Sequence, residues 1–187
     1  MRPLLIPACL AAMLAACADG VSVSYKHIPV RGVPGHADYA ATQAPTPVVI
    51  RNAEFPPPAI VAALHRNNPR QHLIFSTYPP ASIERGYRLL LTFDDRPIGG
   101  PQACRESAAA GAPAAATPRN PARSSTSVYG VFCLGPTLLS EAMASGPRLD
   151  SAADSRLPRL MGDLLSALMP TNDPVDGSTD RCFRGCD

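Results

Sequence analysis

SRLPRLMGDLLSALMP, residues 155–170, decides what kind of fold this chain can adopt. Leu157, Leu160, Met161, Leu164, Leu165, Leu168 and Met169 recur at steps of three and four, so on an α-helix they share one face. Ser155 is placed to cap the start, and Pro170 lacks the amide that another turn would need. So wide a Met and Leu stripe is core packing, and it requires a sheet to lie on.

The preceding segments supply that sheet. PVVIRNAEF from Pro47 is a β-branched run and reads as a strand. PPPAIVAALHRNNP follows, with prolines suited to a first helical turn, Ile60 and Leu64 four apart, and Asn67, Asn68 and Pro69 as a stop. HLIFSTY from His72 is a second strand, and GYRLLLTFDD from Gly86 a third, with Tyr87, Leu89, Leu91 and Phe93 alternating onto one face. SVYGVFCLG carries the last strand, with Cys133 at its centre. The order strand, helix, strand, strand, loop, strand, helix predicts an α+β fold, a mostly antiparallel sheet with two helices packed on one face, over residues 47–187. This order resembles that of small outer-membrane assembly lipoproteins, a likeness of architecture without a shared motif.

Two stretches read as irregular. Residues 17–46 scatter Gly, Pro, Ala and Thr without a sustained apolar period and read as a flexible, disordered tether, with an end-to-end distance of roughly 30 Å. VSVSY is the part of it able to add an edge strand. Residues 104–127, CRESAAAGAPAAATPRNPARSSTS, are low in complexity and too poor in large apolar side chains to bury themselves, which predicts a long loop.

At the start, Arg2 precedes an uncharged apolar run from Leu4 to Leu14, the length of a signal-peptide core and too short to span a bilayer. Leu14, Ala15, Ala16 and Cys17 then resemble the lipobox of bacterial lipoproteins. The resemblance covers this N-terminal segment alone. It implies that residues 1–16 are removed, that the Cys17 thiol receives a diacylglycerol, and that two acyl chains anchor the chain to a membrane. Ala18 after the cysteine, with Asp19 one place too late for the usual retention signal, resembles sorting to the outer membrane and places the protein at its periplasmic face.

With Cys9 removed and Cys17 acylated, Cys104, Cys133, Cys182 and Cys186 remain. An even number outside the cytoplasm implies disulfides, and four cysteines allow three pairings. Cys104 with Cys133 is favoured because it closes the low-complexity loop at both ends, and Cys182 with Cys186 because a turn around Gly185 can bring them together.

Removal of residues 1–16 leaves 171 residues, enough for one domain with a real core. The formal charge of +2 and the periplasmic compartment give no reason to expect a nucleic-acid partner. Lys26 is the one lysine among 17 basic residues, a bias that follows GC-rich codons for Arg, Ala, Pro and Gly. Absence of tryptophan argues against a carbohydrate-stacking platform.

No nucleophile elbow, phosphate loop, HExxH or CxxC pair occurs, and neither a cofactor nor a metal is implied. The best scattered set is His65, His72, Asp94 and Asp95, which could meet at a sheet edge as acid, base or metal ligands; the plainer reading is exposed element ends and a turn. Asp173, Asp176 and Asp180 around Gly177 offer oxygen ligands for calcium but lack EF-hand spacing. The function expected is a membrane-anchored, non-enzymatic envelope assembly or interaction component with an envelope protein as partner. The competing expectation is a small periplasmic ligand-binding protein or hydrolase using the His and Asp set.

Overall fold

In the computed structural model, residues 20–43, 45–77, 86–93, 99–109 and 123–172 are described. They form six strands, β1 (Ser22–His27), β2 (Thr46–Arg51), β3 (Phe75–Ser76), β4 (Tyr87–Thr92), β5 (Ser125–Leu134) and β6 (Thr137–Pro147). Four helices accompany them: α1 (Val33–Thr42), α2 (Pro57–Arg66), α3 (Gly100–Ala109) and α4 (Arg156–Leu168).

The fold is mixed α+β, with strand order β1-β6-β5-β4-β2-β3. Three pairings are antiparallel, β1 with β6, β6 with β5 and β5 with β4, whereas β2 pairs in parallel with both β4 and β3. The expected mostly antiparallel sheet is thus corrected to a mixed one. Its parallel part arises because α2 intervenes between β2 and β3, and a crossover of that kind returns the chain in its original direction.

The expectation of two helices on one face is corrected as well. α1, α2 and α4 bury their apolar faces in one core with Val48, Ile50, Leu89, Leu91, Val128 and Phe132. α3 lies on the opposite face, over Leu90, Tyr129, Val131 and Cys133. The physical cause is visible in β4, whose Leu89 and Leu91 point into one layer while Arg88 and Leu90, equally buried, point into the other. A central strand buried on both sides reads as a continuous apolar run.

Much of the segment expected to be a tether is ordered in this structure. β1 occupies the edge position that VSVSY allows, pairing Ser22 with Ser145 and His27 with Glu141. α1 escapes sequence reading because its buried face is Val33, Ala37 and Ala40, two of them too small to mark an apolar period. It starts behind Gly32, whose φ of +78° suits glycine, and carries a proline in its first turn. The low-complexity segment is likewise shorter than expected at both ends: α3 extends through residues 104–109, and β5 begins at Ser125. HLIFSTY contributes only the two-residue β3, with Leu73 and Phe75 buried and Ile74 exposed.

β6 is the strand sequence reading misses, and its composition explains why. Ser140, Ala142 and Ala144 face the main core, and these small side chains allow α4 to lie close. Ser140 Oγ donates to the Leu168 carbonyl at 2.6 Å. Beside it on β5, a methyl on Gly130 would stand 2.7 Å from a Leu168 methyl, so any larger residue there would make the α4 leucines shift. α4 itself starts differently from expectation: Ser155 makes no capping bond, and the Asp154 carboxylate instead accepts from the Arg156 amide at 2.9 Å and from its guanidinium at 2.6 Å.

Candidate functional site

The layer between α3 and the sheet holds the polar chemistry that the main core lacks. Strand alternation sends Arg88 and Leu90 of β4 and Tyr129, Val131 and Cys133 of β5 into it, and a register shift in the β5–β6 pairing at Leu139 lets both Leu138 and Glu141 of β6 join them. Three independent links then hold α3 down.

The first is covalent: Cys104 and Cys133 form a disulfide, with both residues fully buried. The expected pairing is present, although it joins a helix to a strand instead of closing the ends of a bare loop. The second link is Arg88, also fully buried. Its Nη2 donates to the Cys104 carbonyl and, at 2.6 Å, to the Gly135 carbonyl. A guanidinium in such a place needs fixed acceptors, because an uncompensated buried charge is costly. Burial pushes the Arg88 pKa below its ordinary value.

The third link is Glu141. Its Oε2 accepts from the amide of Gly100 at 3.0 Å and from the Tyr129 hydroxyl, while Oε1 accepts from the Tyr25 hydroxyl at 2.9 Å. A carboxylate at the first residue of α3 satisfies a donor with no intrahelical partner and opposes the positive end of the helix dipole. Leucine and glutamate crowd Gly100 so closely that a methyl there would lie 2.9 Å from Leu138 and closer still to Glu141. Desolvation, followed by the bond to Glu141 and its charge, pushes the Tyr25 hydroxyl up to about 12, and the same three causes in the same order push Tyr129 higher. Tyr25 remains 44% exposed, so Glu141 lies one side chain away from solvent. Both tyrosines therefore keep their protons over the whole physiological range and donate hydrogen bonds to Glu141.

A shallow concavity lies elsewhere, at the end of the sheet where β2 stops and β5 begins. Asn52, Glu54, Phe55, Phe93, Arg123 and Arg148 line this shallow cleft.

The scattered histidines are placed apart from both features. His65 is exposed at the end of α2, where its Nε2 accepts from the Phe75 amide at 2.9 Å and its ring stacks on Phe75. That lone pair is engaged in holding β3 against α2. His72 is exposed in the turn before β3. Asp94, Asp95, Asp173, Asp176, Asp180, Cys17, Cys182 and Cys186 lie outside the described residues. Among the described residues no group of three or more His, Cys, Asp or Glu is placed to hold a metal ion, and no helix is long and apolar enough to cross a membrane.

Sequence reading overlooks Arg88, Tyr25, Tyr129 and Glu141 altogether. The available signal was a lone charge inside each of two apolar strands, Arg88 before LLL and Glu141 after TLLS. A buried charge in a strand asks for a partner on the covered face, and α3 supplies or completes that partner in both cases. No protein-family model, curated protein or solved structure matches this chain.

Proposed function

We propose that this chain is a lipid-anchored protein of the bacterial cell envelope, held at the periplasmic face of the outer membrane through Cys17, whose α+β domain serves as a non-enzymatic assembly or interaction component with a protein partner there. The observation that carries the proposal is the pairing of the LAAC sequence with a buried cystine. Cys104–Cys133 is the kind of bond that persists in oxidising compartments, where a lipoprotein signal would deliver the chain. The outer layer of the sheet adds support. Its polar groups, Glu141, Tyr129 and Arg88, are spent on fixing α3, which makes it a braced platform.

The test is fractionation of cells expressing the full chain and a Cys17→Ser variant. The full chain is expected in the membrane fraction with a diacylglyceryl group on its N-terminal peptide, and the variant in the soluble periplasmic extract. Continued tight membrane association of Cys17→Ser refutes the anchor. Crosslinking in living cells then tests the partner: one abundant envelope protein recovered with the lipidated chain supports an assembly role, and recovery of the chain alone refutes it.

A further inference from the structure

We infer that the domain stands directly on the leaflet that holds the Cys17 acyl chains, with the Gly20 end of the sheet against the lipid headgroups and the Gly135–Pro136 turn pointing away. The inference rests on the lipidation of Cys17 proposed above. What the structure adds is the position of Gly20, the first described residue, in the fold. Gly20 sits against β6, where a methyl on its Cα would lie 3.1 Å from the Pro147 ring, and Val21 packs beside Gly146 in the same way. Three peptide units separate Cys17 from Gly20, which covalent geometry limits to about 11 Å. The leash is thus far shorter than a thirty-residue coil.

β1 runs away from that point, since Ser22 pairs with Ser145 near the end of β6 and His27 with Glu141. The same end of the sheet contains Ser125 opposite Pro147, the Arg148 amide donating to the Ser124 carbonyl at 3.3 Å, and the shallow cleft next to Arg123. At the opposite end of the ten-residue β5, Leu134 faces Thr137 across a turn in which Gly135 takes a φ of +54°. Nine residue steps of strand separate the two ends, about 30 Å. A leash of about 11 Å keeps the first end at the headgroups, because the far turn lies well beyond its reach. Among the described residues, three cations at the near end, Arg123, Arg148 and Arg156, stand with three anions, Glu54, Asp150 and Asp154, and Arg156 is paired to both aspartates, so the orientation rests on the short leash and not on a net charge. Added salt should therefore leave the orientation unchanged.

The chain contains no tryptophan, so a single introduced one is an unambiguous reporter. Ser124 and Thr137 are exposed at the near and far ends respectively. Full-length Ser124→Trp and Thr137→Trp proteins, extracted from bacterial membranes, are placed in phosphatidylethanolamine and phosphatidylglycerol vesicles containing a headgroup-spin-labelled lipid. Quenching is expected to be several-fold stronger for Ser124→Trp, equally so at low and high salt, and to vanish when a Gly/Ser segment of about thirty residues is inserted after Ala18. If Ser124→Trp does not fold, Ser22→Trp at the start of β1 replaces it. Equal quenching at both ends, or stronger quenching at Thr137→Trp, overturns the orientation. The mass of the N-terminal peptide separates the two ideas: a diacylglyceryl group with the wrong quenching pattern leaves the anchor standing, whereas an unmodified Cys17 overturns both.

Discussion

Replacing Cys104 and Cys133 together by alanine cuts the covalent link between α3 and β5, which closes 29 residues of chain. Releasing a loop of that length in the unfolded state costs the folded state about 3.6 kcal/mol by the entropy of closure. Both residues are fully buried, and deleting each sulfur removes packing worth about another 1 kcal/mol. The expected loss is about 4–6 kcal/mol, a large share of the 5–15 kcal/mol typical of a domain and equivalent to roughly 10–20 °C in Tm at this size. Urea unfolding of the full chain and the double variant, followed by far-ultraviolet circular dichroism, measures it. Arg88 and Glu141 still hold α3 by hydrogen bonds, so hydrogen exchange should quicken first in residues 100–109. A loss under about 1 kcal/mol, or unchanged protection of α3, would refute the view that the cystine is the principal clamp on this layer.

The remaining predictions concern particular contacts. Gly162→Ala improves helix propensity by about 1 kcal/mol but puts a methyl 2.6 Å from the Asn67 carbonyl, so a net loss of about 1–2 kcal/mol is expected by chemical denaturation. Gly35→Ala in α1, where the same methyl meets nothing within 4 Å, should instead stabilise by about 0.5–1 kcal/mol, and equal effects at the two sites would contradict the packing between α2 and α4. Glu141→Gln places an amide among three donors and should cost about 2 kcal/mol or more; an unchanged urea midpoint would show that α3 does not depend on this carboxylate. The Tyr25 hydroxyl, raised to about 12, contributes stability that is complete below its ordinary value near 10 and is lost as pH climbs toward 12. Phenolate absorbance should show that late step and lose it in Tyr25→Phe. Asp154 behaves in the opposite sense: its bonds to Arg156 hold its carboxyl far below the usual range, so the stability it adds is present above about pH 4 and declines as pH falls further. A thermal-unfolding series from neutral to acid pH on Asp154→Asn, showing the same acid loss as the unaltered chain, would contradict this.

What sequence alone determined was whatever depends on local spacing. The 155–170 stripe places a helix because its apolar residues return every three or four positions, and β2, β4 and β5 announce themselves by runs of branched and aromatic residues. The cystine between Cys104 and Cys133 was legible because few pairings compete. Tertiary structure alone decided which way each strand runs and which layer each side chain enters. α1 and β6 bury mostly Ala and Ser, whose contribution appears only where another backbone comes close enough to need a small neighbour, as α4 does over Gly130. Glu141 and Arg88 are ordinary surface charges by local criteria. They become the struts of the second layer because α3, from a stretch with almost no apolar signal, is brought over them by contacts distant in sequence.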